Sequence, residues 1–277
     1  LVPRALRPML DLAPDRVPPA ERLPALTPAE GPRRARVALL AGCAQQVLEP
    51  DINRATIDVL ARNGVEVVVP AAQGCCGGLA WHAGALAAAQ AAARRNLDAF
   101  PSDVDAILTN AAGCGSALHE YALILRGTAD EARAAAFRGR VSDVSAFLFR
   151  LGLAAPLPAL RGKLRIAYHD ACHLAHAQNV REEPRALLRA IPGVELAEPA
   201  DAHLCCGSAG TYNLDQPATA AALGAAKARA LAATGAAVVA TGNIGCLTQV
   251  RLHLGRLGNP VQVRHTCQVL RDAYLGT

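Results

Sequence analysis

His203-Leu204-Cys205-Cys206-Gly207-Ser208-Ala209-Gly210-Thr211-Tyr212-Asn213 places two adjacent cysteines before a glycine. Paired thiols are reactive, and a chain that only fills space uses Ala or Val, as this one does nearly everywhere else. The same word occurs earlier, at Gly74-Cys75-Cys76-Gly77-Gly78. Recurrence of so specific a word directs attention to an internal repeat.

The repeat extends outward on both sides. The first half reads Val37-Ala38-Leu39-Leu40-Ala41-Gly42-Cys43, then Gly64-Val65-Glu66, the cysteine pair, and Thr109-Asn110-Ala111-Ala112-Gly113-Cys114. The second reads Ile166-Ala167-Tyr168-His169-Asp170-Ala171-Cys172, then Gly193-Val194-Glu195, the pair, and Thr241-Gly242-Asn243-Ile244-Gly245-Cys246. The spacings are C-x31-CC-x37-C and C-x32-CC-x39-C, so eight of the nine cysteines form two sets of four and Cys267 stands apart.

Short apolar runs predict strands at 36–42, 65–69 and 104–109, repeated at 164–169, 194–197 and 236–240, with a further short strand at 261–263. Alanine-rich or apolar-periodic segments predict helices between them, at 51–63, 84–100, from Cys114 through Leu125, 184–190, 217–233, from Cys246 to near Gly255, and at the C-terminus. Strands alternating with helices imply an α/β fold: two pseudo-repeated halves, each a short parallel sheet flanked by helices. Cys43, Cys114, Cys172 and Cys246 each fall at or just past the carboxyl end of a strand, and each pair lies in the loop after another. In an open α/β sheet those ends converge where ligands bind, so topology brings four thiols per half to one place.

The predicted organisation is a Pro-rich linker or arm at 1–32, a first cysteine-rich domain at 33–160 and a second at 161–277. The arm holds eight of the 18 prolines, a density at odds with a helix ladder or a central strand. Residues 126–162 read as a connector with one helix near 144–151. The chain starts at Leu1 rather than Met, which leaves room for a preceding segment.

Four thiolates around one point suit Zn(II) or an iron–sulfur cluster, both of which favour soft sulfur ligands. Zinc knuckles use C-x2-C, which is absent here. Adjacent cysteines diverge and fit an extended cluster better than a single tetrahedral ion. Gly74, Gly77, Gly78, Gly207 and Gly210 would let backbone approach an inorganic core. A net charge of +5 without a basic run and interleaved aromatics argues against nucleic acid. No apolar run is long enough for a membrane span, no basic-then-apolar leader is evident, and the cysteine usage fits a cytoplasmic, reducing setting.

The motifs Ala41-Gly42-Cys43-Ala44-Gln45-Gln46, Ala112-Gly113-Cys114-Gly115, the 203–213 stretch and Gly242-Asn243-Ile244-Gly245-Cys246 resemble a known family. They are similar to the cysteine-rich CCG domain shared by heterodisulfide reductases, lactate-utilisation iron–sulfur proteins and the glycolate oxidase iron–sulfur subunit, the last in particular. The resemblance covers residues 33–277. It implies an iron–sulfur electron-transfer subunit of a glycolate (2-hydroxy acid) oxidase or dehydrogenase, inactive on its own. Electrons would pass from a flavoprotein partner, which alone holds FAD, to an acceptor such as quinone. It implies clusters of the 4Fe-4S type at one or two sites, held by Cys172, Cys205, Cys206 and Cys246 and by Cys43, Cys75, Cys76 and Cys114, with no catalytic residue assigned. It also implies an N-terminal ferredoxin-like region or subunit, and peripheral attachment at the inner face of a membrane.

Two departures stand out. The reductase pattern ends each half in C-x2-C, but here those positions are Ala117 and Gln249. No ferredoxin-type C-x2-C-x2-C-x3-C-P run occurs, and the Pro-rich start resembles the stretch just after that region in the family. Two alternatives remain: a thiol–disulfide redox enzyme, and a subunit-docking module with zinc or no metal. His169, Asp170, His173 and His176 cluster about Cys172: a histidine there is a candidate donor to a cluster sulfur or acceptor of a proton coupled to electron transfer, and Asp170 or His173 a candidate cap. His82 and His119 are weaker candidates, His203 and His265 read as core histidines, and Tyr168 and Tyr212 as packing groups.

Overall fold

Val37, Leu39 and their neighbours are apolar on both faces, so the segment Ala35–Leu40 (β2) can only be a strand buried on both sides. In this computed structural model, which describes residues 7–14, 16–154, 156–160 and 162–276, it is the middle of a five-stranded sheet. With β1 (Leu26–Thr27), β3 (Val65–Val68), β4 (Ala106–Thr109) and β5 (Val141–Asp143), the order is β1-β3-β2-β4-β5. All neighbours are parallel except β1, an antiparallel edge. The second sheet holds β6 (Leu164–His169), β7 (Val194–Ala197), β8 (Val238–Thr241) and β9 (Gln262–His265) in the order β7-β6-β8-β9, all parallel. Strand for strand this repeats β3-β2-β4-β5. The expected α/β class with two repeated parallel sheets is the observed one.

Two local readings change. The proline-rich arm is not extended throughout: a helix spans Arg7–Leu12, and Leu26–Thr27 pairs with Val67–Val68. An edge strand tolerates flanking prolines because its outer groups face no partner. Residues 1–6, the start of that arm, lie outside the described residues, as do positions 15, 155, 161 and 277. The connector carries more structure than one helix. A helix at Glu131–Arg138 and strand β5 precede the helix Val144–Leu151.

Register fixes where the cysteines emerge. Leu40 pairs with Thr109 at the end of β2 and β4, and His169 with Thr241 at the end of β6 and β8. The chain therefore leaves each sheet at adjacent points, just before Cys43 and Cys114, and before Cys172 and Cys246. The largest apolar core joins the halves, packing Val37, Leu39, Ile57 and Leu60 with Ile166, Leu188, Leu270 and Tyr274. The helix Thr266–Leu275 lies on the helix Asp51–Arg62 of the first half, and Val144–Leu151 lies on Glu182–Arg189 of the second. Each half thus lends its last helix to the other. Tyr274 and Asn63 hydrogen-bond across this seam, and Asp51 pairs with Arg271 and Gln268. Among the described residues no helix is long and apolar enough to cross a membrane.

Candidate metal centre

In the first half Gly42, at φ +70°, turns the chain after β2 so that Cys43 opens the helix Cys43–Leu48. Gly77, at φ +79°, turns the chain after the cysteine pair into the helix Gly78–His82. Cys114 is the third residue of the helix Ala112–His119. The pair is held from beneath. The Asn96 side-chain oxygen accepts from Gly74 N–H at 2.9 Å, and its amide donates to Cys75 O at 3.0 Å and to the Tyr121 phenol at 2.8 Å. Tyr121 in turn donates to Cys76 O at 3.0 Å. A buried amide network of Gln45, Asn53, Asn110 and Thr56 ties the ends of β2 and β4 to the helix Asp51–Arg62, with Asn53 donating to Ala41 O at 2.8 Å. Cys43 Sγ lies 3.5 Å from Cys75 Sγ, and Cys76 meets both Cys75 and Cys114. Gly77 and Gly78 N–H groups donate to Cys75 and Cys76 Sγ, each at 3.4 Å.

The second half repeats the plan with other side chains. Gly207, at φ +88°, makes the turn, and its N–H donates to Cys205 Sγ at 3.3 Å. Lys227, buried on the helix Pro217–Ala232, donates to Asp201 O at 2.7 Å and Ala202 O at 3.3 Å, pinning the approach to the pair. Cys246 is the third residue of the helix Ile244–Arg256 and accepts from the Asn243 amide at 3.4 Å. Cys172 meets Cys205, Cys205 meets Cys206, and Cys206 meets Cys246.

The two sets face each other. All eight cysteines line one cavity of about 260 Å³. The halves close around it: Ala112 N–H donates to Gly242 O at 3.1 Å, Gly113 N–H to the Asn243 side-chain oxygen at 3.3 Å, and the His82 and His173 rings lie 5.8 Å apart. Cys267 is buried away from it, and burial pushes its thiol up to about 12.

Crowded thiols do not ionise alike. Cys75 is held well below the usual thiol range because Cys43 and Cys76 donate to it and Gly77 N–H adds a third contact. Cys205 is lowered likewise by Cys172, Cys206 and Gly207 N–H. Cys43 and Cys172 are raised, first because each donates to that neighbour and then by burial. Cys76 is raised by its contacts with Cys114 and then Cys75, and Cys206 by its contacts with Cys205 and then Cys246. Cys246 is lowered by Cys206, with His169 and Asn243 beside it. Thiols packed this closely would be deprotonated together by a bound soft cation, which offsets the charge they cannot carry alone. The glycine N–H groups already point at sulfur, and the donors are spread over several loops, so the residues present fit an extended iron–sulfur core.

The remaining candidates divide. His169 is buried beside Cys206 and Cys246. His82 and His173 line the cavity; His119 does not. Asp170 is not a cap: Arg185 clamps it at 2.9 and 2.7 Å, binds Glu198 at 2.8 Å and stacks over Tyr168 at 4.7 Å. His173 makes no side-chain cap either; its segment, His173–Ala177, is a π-helical turn. His176 is exposed against Arg181, and His203, expected in the core, is exposed in the loop. His265 is a buried cap, accepting Cys267 N–H at 3.1 Å. Tyr168 packs as expected, whereas Tyr212 is exposed. Ala117 is in the core and Gln249 donates to Ala220 O, so neither lines the cavity. Sequence reasoning missed Asn96, Tyr121 and Lys227. The signal was a polar residue on each alanine-rich helix, 20 residues after Cys76 and 21 after Cys206.

Two cysteine-lined α/β halves closing on one cavity define a repeated domain, and the sequence matches that of the CCG cysteine-rich domain twice, over residues 37–119 and 166–251. The chain belongs to this family. It is 36% identical to the probable glycolate oxidase iron-sulfur subunit of Bacillus subtilis (strain 168), over 99% of this chain and 63% of that one. It is 38% identical to the glycolate oxidase iron-sulfur subunit of Escherichia coli (strain K12), over 91% of this chain and 62% of that one. The chain thus spans somewhat under two thirds of either relative. Lactate utilization protein A of Geobacillus thermodenitrificans (strain NG80-2) is 29% identical over 85% of this chain and 98% of its own length. A hypothetical protein from Helicobacter pylori shares the fold, with a TM-score of 0.65 at 10% identity over 98% of this chain and 53% of that one.

Proposed function

We propose that this chain is the cysteine-rich, electron-carrying part of an iron–sulfur subunit in an oxidoreductase that acts on a 2-hydroxy acid such as glycolate. The observation that carries the reading is the convergence of eight unpaired thiols, four from each half, on one cavity. The names of the two glycolate oxidase relatives support it. Residues 33–160 and 161–277 form its two cysteine-rich domains. Cys43, Cys75, Cys76 and Cys114 hold one cluster and Cys172, Cys205, Cys206 and Cys246 the other, each of the 4Fe-4S type. Such a cluster, when bound, takes up and releases single electrons.

The chain's own part is to hold and screen. Glycine N–H groups stabilise thiolate, the Asn96–Tyr121 and Lys227 contacts keep each pair in place, and burial screens Cys76, Cys206 and Cys246 from water. A flavin-containing partner delivers the electrons, a ferredoxin-like region or subunit relays them, and a quinone or similar acceptor receives them at the cytoplasmic face of a membrane. The isolated chain does not turn over substrate. Iron and acid-labile sulfide analysis after anaerobic purification tests the reading. Both elements are expected, with about half lost in Cys205→Ser. A colourless protein holding zinc, or freely titratable thiols with no metal, would sink it.

A second reading is a thiol–disulfide reaction, favoured by the exposed Cys43 and Cys75 sulfurs 3.5 Å apart at the cavity. Turnover of a small disulfide by the metal-free chain would establish it.

A further inference from the structure

The two halves superpose in topology but not in what lies beneath their cysteines. At the end of the central strand the first half has Leu40, an apolar residue packed in the core. The repeat puts His169 at the matching place in the second half. His169 is 1% exposed, and its ring nitrogens meet no oxygen or nitrogen partner; the polar group beside the ring is the Cys246 sulfur. An imidazole sealed from water with no oxygen or nitrogen partner costs free energy that a Leu or Phe would not. Its surroundings show where that cost is recovered. A ring nitrogen of His169 and the sulfurs of Cys206 and Cys246 all lie within 4.8 Å of one another, all three residues buried. Ring nitrogens and thiolates together suit iron, and imidazole replaces thiolate in known mixed-ligand clusters.

We propose that His169 is a nitrogen ligand of the second metal site, able to take an iron in place of one of its thiolates, which makes the two sites chemically unequal: four thiols in the first half, four thiols and an imidazole in the second. The inference rests on the iron–sulfur reading above. Where the neutral imidazole holds an iron in place of a thiolate, one negative charge is removed, and the second site is then the easier to reduce. The ring nitrogen beside Cys206 and Cys246 is then the ligand atom, and Leu40 at the matching place leaves the first half without one.

The test uses the full chain loaded with iron and sulfide, with histidine labelled by 15N. Pulsed paramagnetic resonance of the wild-type protein is expected to show a strongly coupled nitrogen whose signal changes with the label. That coupling disappears in His169→Cys, a variant that supplies a thiolate in place of the ring, and persists in His82→Gln and His173→Gln. A redox titration followed by visible absorbance gives a second readout: one reduction step moves to lower potential in His169→Cys while the other stays put. Bound iron with no labelled coupling in the wild type, or an unmoved titration in the variant, overturns the ligand assignment while leaving the cluster reading intact. A chain that binds no iron overturns both.

Discussion

Asp143 and His265 occupy the same place in the two halves, each ending an edge strand and capping the helix that crosses to the other half. Asp143 accepts Ser145 N–H at 2.7 Å, and His265 accepts Cys267 N–H. Both are buried, and burial moves them in opposite directions because it disfavours the charged form of either. The Asp143 carboxyl is pushed up to about 6. The stability it contributes is complete below about 3.8 and is lost as pH rises through 6. The His265 imidazole is pushed down to about 4. Its contribution is complete above about 6.5 and is lost as pH falls through 4. Each shift is worth roughly 3 kcal/mol at its limit. Asn keeps an N-cap without titrating. Asp143→Asn is therefore expected to raise the melting temperature at pH 8 and not at pH 4, whereas His265→Asn flattens the fall in stability between pH 6.5 and 4. Melting temperature measured against pH checks both, and parallel profiles for wild type and variants would refute the assignment.

At the scale of the element, the cysteine loops depend on glycines with a specific backbone demand. Gly207 sits at φ +88°, and a Cβ there would lie 2.5 Å from Ala220 O, a backbone atom of the helix Pro217–Ala232 that cannot step aside. The positive φ alone costs an L-residue about 1–2 kcal/mol, before that clash is counted. Gly207→Ala should lower the melting temperature and, on the cluster reading, reduce bound iron by up to half. Gly210 is the control: at φ +60° its nearest atom is Leu79 Cδ2 at 3.8 Å, so Gly210→Ala meets only the backbone term. Equal losses in the two variants would show that the approach to Ala220 is unimportant. The three main strands of each half were legible, because short apolar runs ending at glycine or a turn leave few other readings. Strand β5 was not, since three residues, Val141–Asp143, give too little pattern. Its signal lay in the repeat: the expected strand at 261–263 had a counterpart to be found.

At the scale of the molecule, the exchanged helices make the halves one folding unit. Leu270, fully buried on Thr266–Leu275, packs into the core that contains first-half strands and the helix Asp51–Arg62. Leu270→Ala should cost about 2–5 kcal/mol. The single tryptophan, Trp81, belongs to the first half. Its fluorescence in a denaturant titration should nevertheless report the full loss, with the same midpoint as circular dichroism. A Trp81 transition that ignores a substitution near the C-terminus would mean that the halves unfold separately.

By itself the sequence determined the repeat, the α/β class, the two sets of four cysteines and their positions past strand ends. Those features are local: hydrophobic periodicity sets strands and helices, and parallel topology sets which ends converge. The tertiary structure alone decided that both sets open on one cavity, that each half caps the other, and that His169 is buried while His203 is exposed. Those depend on packing between segments far apart in the chain. The cavity forms where Ala112 and Gly113 hydrogen-bond to Gly242 and Asn243, and the burial of His169 depends on what the second half folds over it. No single stretch of residues carries that information.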